Sequence, residues 1–91
     1  VSRGARREYE TDEYLAMLER MIRRAGERVA EADEPELARL NRMIGLVRDA
    51  VEVGARGQYA RQGTWTWVGR ALGISRQTAH ERFAPREKAS A

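Results

Sequence analysis

Residues 64–83 read Thr64-Trp65-Thr66-Trp67-Val68-Gly69-Arg70-Ala71-Leu72-Gly73-Ile74-Ser75-Arg76-Gln77-Thr78-Ala79-His80-Glu81-Arg82-Phe83. Thr64 has a hydroxyl that can accept a bond from an orphan amide of a first helical turn. Trp65, Val68 and Leu72 recur at three- and four-residue steps, which predicts a helix over about 65–72 with one apolar face. Gly69 is expected where two helices cross, its missing side chain letting the backbones approach. Gly73 follows the last apolar residue, in the place of a left-handed residue that ends a helix. Ile74 plugs the corner and Ser75 caps the next helix, which runs from Arg76 to about Phe83 with Ala79 and Phe83 turned inward.

The stretch resembles the helix-turn-helix of bacterial, actinobacterial-like DNA-binding transcription regulators. The resemblance covers about twenty of the 91 residues, and Gly69/Gly73 with Ile74-Ser75 is its most specific part. It implies that the first helix braces against the phosphate backbone while the second enters the major groove. In one respect the chain departs from that pattern: Arg82 stands where an inward aliphatic residue is common, and Phe83 takes over the packing role.

Upstream, Asp33-Glu34-Pro35-Glu36 marks a boundary. Asp33 or Glu34 caps, Pro35 sits in a first turn where its missing amide costs little, and Glu36 reaches back as in a capping box. Leu37, Leu40, Ile44, Val47 and Val51 then follow at 3-4-3-4 spacing, the narrow stripe of a coiled-coil seam. Gly45, Gly54 and Gly57 interrupt this helix, so it either stops near Gly54 or continues to about Gln62 and ends at Gly63. Ala55 and Tyr59 extend the Val47/Val51 face at four-residue steps, which favours continuation. The longer helix would also close the core of the helix-turn-helix.

Thr11 predicts the cap of an earlier helix over about 12–32, with Asp12 and Glu13 in its first turn. Tyr14, Leu18, Met21, Ile22, Ala25 and Val29 share one face at helical spacing, and charges fill the other. Residues 1–10 show no periodicity. They are expected as a flexible arm whose Arg3, Arg6 and Arg7 either reach a minor groove or lie in solvent. Beyond Phe83, Pro85 and the polar residues after it predict a disordered tail over 84–91. The expected fold is therefore all-α, a helix-turn-helix three-helix unit preceded by a long N-terminal amphipathic helix. Its parts are the arm, a helical hairpin over 11–54 that serves dimerisation, and a DNA-binding unit over 55–83.

Ninety-one residues make one small domain that buries only about 60% of its unfolded surface. Cysteine is absent, which excludes disulfides and thiolate metal sites and fits a reducing cytoplasm; the expected location is cytoplasmic, associated with the nucleoid. No apolar run approaches the roughly 20 residues of a membrane span. The net charge of +3 is uneven: residues 1–55 carry ten basic and twelve acidic side chains, whereas residues 56–91 carry seven basic and two acidic. The positive excess thus falls on the segment expected to meet DNA. Sixteen of the seventeen basic residues are arginine, a bias more readily assigned to codon usage than to function.

On a helix with Ala79 and Phe83 inward, Gln77, Glu81 and Ala84 lie opposite, and Thr78 and His80 lie on the flanks. The resemblance then makes Arg76, Gln77, His80 and Glu81 the candidates for base contacts, since Arg pairs with guanine and Gln with adenine. Glu81 either accepts from a cytosine amine or bonds within its own helix. Thr64, Thr66, Ser75, Thr78, Arg61, Arg70 and Arg82 are candidates for DNA backbone contacts. Trp67 points away from Trp65 and packs against the first long helix, joins a dimer interface or presses on a sugar-phosphate edge. Tyr14, Leu18, Met21, Ile22 and Val29 are the candidate dimer interface, against an alternative in which the two long helices cover each other in a monomer.

The expected function is sequence-specific binding of double-stranded DNA by a small dimeric regulator. The alternative is a helical protein-interaction adaptor, sigma-factor-like, that uses the motif as scaffold. An enzyme is not expected, because the chain has one histidine, no phosphate-cradling glycine loop and no zinc ligand set. Neither a cofactor nor a small-molecule ligand is expected.

Overall fold

The computed structural model describes residues 3–85, with side chains from residue 10 onward. These residues are all-helical, in four helices: α1 (Arg3–Ala30), α2 (Glu34–Gln62), α3 (Trp65–Leu72) and α4 (Arg76–Phe83). The chain divides into two compact units, Val1–Ile44 and Gly45–Ala91. The division falls inside α2, which runs on past Gly54 to Gln62.

In the first unit, α1 begins at Arg3, well before Thr11. The expected arm over 1–10 is therefore helical from Arg3 on. Alanine, arginine and glutamate are strong helix formers, and they extend a helix whether or not an apolar stripe accompanies them. Thr11 sits inside α1 and does not cap it. The helix ends at Ala30, two residues early, through turns in which Glu31 and Ala32 donate to the carbonyls of Arg28 and Val29. At the start of α2 the Glu36 carboxylate accepts from the Asp33 amide at 3.1 Å. The Asp33 carbonyl accepts from Glu36 and Leu37. This is half of the capping box, as expected.

The apolar face of α1 is open. Tyr14 is 61% and Met21 58% exposed, Leu15, Met17, Leu18 and Ile22 are between 39% and 49%, and Ala25 and Val29 are half-buried. On α2 the seam residues Leu37, Ile44, Val47 and Val51 are also exposed, as are Leu46 and Val53 on a neighbouring strip.

The second unit holds the core. Its buried side chains are Ala55, Trp65, Val68, Ala79 and Phe83, with Tyr59, Ile74 and Ala84 packed against them. The helix α2 runs to Gln62 and stops at Gly63, which has a φ of 72° and donates to the Tyr59 carbonyl. Continuation past Gly54 and Gly57 is what carries Ala55 and Tyr59 into this core. Tyr59 lies flat on Trp65, ring centroids 4.1 Å apart and 9° from parallel. Leu72, expected on the buried face of α3, is instead 38% exposed. It lies at the last turn, where the chain turns off toward Ile74, and Ile74 packs on the core in its place.

Candidate nucleic-acid interface

The two short helices are held by three local devices. Thr64 adopts an extended conformation and its Oγ1 accepts from the Thr66 amide at 3.1 Å, which caps α3. At the other end Gly73 has φ 70° and ψ 30°. Ile74 donates to the Gly69 carbonyl at 2.9 Å and Gly73 to the Arg70 carbonyl. This is the paired-bond helix end that a left-handed glycine makes. Ser75 then caps α4, its Oγ accepting from the Thr78 amide at 3.0 Å and lying 2.9 Å from the Thr78 hydroxyl.

Gly69 has a sharper purpose than the sequence suggested. A Cβ built there would lie 2.7 Å from the Ile74 carbonyl oxygen and 3.1 Å from the Ser75 carbonyl. The close approach is to the backbone of the turn, not to a crossing helix. Gly69 is buried beneath the corner it admits.

With Ala79 at 0% exposure and Phe83 at 5%, α4 has a fixed inward side. The base-contact candidates Arg76, Gln77, His80 and Glu81 are all exposed. They share one surface. Trp65, Arg76, Gln77 and His80 line a notch of about 200 Å³, and the Trp65 and His80 rings meet edge to face at 6.0 Å. Gln77 Nε2 donates to Glu81 Oε2 at 3.0 Å, so of the two readings of Glu81 the intrahelical one is present. Ala84 is not opposite the core as helical spacing had it. Its backbone has left the helix, with φ −63° and ψ 142°, and it packs inward against the cluster.

Thr64, Thr66, Ser75, Thr78, Arg61, Arg70 and Arg82 are exposed as well. The hydroxyls of Thr64 and Ser75 already cap helices, whereas Arg82 lies over the Phe83 ring, 5.3 Å from its centroid. Trp67 is 46% exposed and its indole N–H donates to Gln58 Oε1 on α2 at 2.8 Å. With Gln58, Arg70 and Ala71 it borders an open hollow of about 450 Å³. The long helix it contacts is thus the second, not the first.

No family model, curated protein or solved structure matches this chain. Its function has to be read from its own side chains.

One such residue escaped the sequence reading. Arg56 Nε donates to the Phe83 carbonyl at 2.9 Å, and its Nη2 pairs with Glu52 at 3.1 Å. The last carbonyls of a helix lack intrahelical partners and carry the negative end of its dipole. An arginine from α2 therefore supplies a donor to a carbonyl at the end of α4. Arg56 had counted only as one of seven basic residues, and no local pattern links it to a position 27 residues away.

Among the described residues no group of histidine, cysteine, aspartate or glutamate side chains could hold a metal ion, and no helix is long and apolar enough to cross a membrane.

Proposed function

We propose that this chain is a sequence-specific DNA-binding protein, a small regulator that places α4 in the major groove of double-stranded DNA. The observation that carries the reading is that Arg76, Gln77 and His80 are exposed together on the first turns of α4 and line one notch. The eight-residue α4 packs on α3, and α3 has a capped N-terminus at Thr64 and an exposed Arg70 in its last turn. That arrangement is the one in which an exposed second helix reads bases while the first meets phosphate. The charge supports it too, since the basic excess belongs to residues 56–91.

A single α4 offers few base contacts, and such readers gain affinity by pairing on two half-sites. The open faces of α1 and α2 supply the means for a homodimer. Monomers rarely leave apolar patches beyond a few hundred Å² uncovered, whereas Tyr14, Leu18, Met21 and Ile22 lie open along α1. The same exposed faces favour the second reading, an adaptor whose long helices dock on another protein.

Titration of duplex binding against salt tests the two. Contact with several phosphates makes affinity fall steeply as salt rises. An adaptor would leave duplex DNA unbound at moderate salt. Within the DNA reading, Arg76→Ala relaxes base preference, whereas Arg70→Ala weakens all sequences alike and reduces the salt slope by about one phosphate contact. Equal losses on every sequence for both variants would refute that division.

A further inference from the structure

The bond from Gln77 to Glu81 decides more than the stability of one helical turn. A carboxylate at neutral pH only accepts hydrogen bonds. The pair can therefore form in one sense, with the amide nitrogen of Gln77 toward Glu81 and its oxygen turned away. A glutamine amide in water is otherwise free to present either end. We infer that Glu81 is a positioning residue that fixes the Gln77 amide so that α4 selects adenine and rejects guanine. The inference rests on the DNA-binding reading above.

The stereochemistry follows from the amide itself. Nε2 carries two N–H bonds, of which we assign the one trans to Oε1 to Glu81 Oε2, 3.0 Å from Nε2. The N–H cis to Oε1 then lies beside that oxygen at the free edge, a donor next to an acceptor. Adenine offers the complement in the major groove, N7 accepting and the N6 amine donating. Guanine offers two acceptors, N7 and O6, so O6 would face Oε1 with two lone-pair atoms opposed.

Charge points the same way. Glu81 is the only carboxylate between residues 56 and 85, and it stands on the helix that would approach phosphates. A negative charge there weakens binding to every duplex. That cost fits a group serving discrimination, which is often achieved by penalising the wrong partner.

The test is selection from a randomised duplex pool with the full chain and with Glu81→Gln, Glu81→Ala and Gln77→Ala, helix content being checked by circular dichroism. The unmodified chain should enrich adenine over guanine by about ten-fold or more at one position of the site. Gln77→Ala should erase the preference at that position alone. In Glu81→Gln the new amide both donates and accepts, so Gln77 unlocks and guanine should rise to parity with adenine there. Glu81→Ala should lose the preference while binding mixed-sequence duplex more tightly. Full retention of adenine in both Glu81 variants overturns the inference, as does loss of preference at all positions together. Bases selected with no adenine position sensitive to Gln77 would also defeat it and leave the DNA-binding reading standing. If the unmodified chain binds no duplex, that reading fails and takes this inference with it.

Discussion

Replacing Gly69 by alanine sets two effects of opposite sign against each other, and the structure says which wins. In a helix interior alanine is favoured over glycine by about 1 kcal/mol. At position 69 the added Cβ would sit 2.7 Å from the Ile74 carbonyl oxygen, whereas carbon–oxygen contacts settle at about 3.3–3.6 Å. The obstacle is backbone, so it cannot rotate aside. The turn must move by about 0.6 Å or more, pulling on the Ile74 to Gly69 bond and on the Ser75 cap. Forced insertion of this kind costs about 1–3 kcal/mol. After the propensity gain, Gly69→Ala should destabilise by up to about 2 kcal/mol. The control is Gly57→Ala, also within a helix, where a Cβ meets nothing within 4 Å. That variant should stabilise by about 0.5–1 kcal/mol. Urea unfolding followed by circular dichroism at fixed protein concentration reads both, as shifts of midpoint at constant slope. If Gly69→Ala proves as stabilising as Gly57→Ala, the turn is not packed against that position and the account of the corner is wrong.

Three further outcomes follow from other contacts. Ser75→Ala removes the Thr78 amide's cap and should cost about 1 kcal/mol in the same unfolding assay, with Ser75→Thr recovering most of it. Arg56→Ala leaves the Phe83 carbonyl without its donor; because Arg56 is about half exposed, the loss should be only about 1 kcal/mol. Hydrogen exchange should locate that loss, with amides near Phe83 exchanging faster than those of α3. Leu18→Glu together with Met21→Glu puts charge on the open face of α1. Sedimentation should then show a monomer where the unmodified chain sediments as a dimer, and an unmodified chain that is monomeric at tens of micromolar defeats the dimer proposal.

What could be read from the sequence was what neighbouring residues decide among themselves. Thr64, Gly73 and Ser75 act within one turn of where they stand, and each makes the bond its chemistry suggested. Gly63 ends α2 by the same local logic, and Glu36 reaches only three residues back. Ala79 and Phe83 were legible because a four-residue step fixes a face. Legibility ended where the cause was distant or carried no pattern. Arg56 and Phe83 are 27 residues apart, and nothing in the local composition joins them. Trp67 finds Gln58 across the end of α2, a bond that depends on how two helices are set. Residues 3–10 continue α1, and without an apolar stripe periodicity had nothing to register. Gly69 was singled out correctly, but its neighbour could be named only with the turn in place. For Glu81 both partners were open in the sequence, and the intrahelical one is met through Gln77. The expected tail is described only through Pro85, so residues 86–91 lie outside the described part of the chain.

Trp65 gives the chain an optical reporter of its own. Its indole is buried, stacked on the Tyr59 ring and edge to face with His80, and it lines the notch together with Arg76, Gln77 and His80. Its fluorescence should therefore be blue-shifted and sensitive to anything that enters there. The half-exposed Trp67 supplies a redder, steadier background, so occupancy of α4 can be followed without attaching a dye.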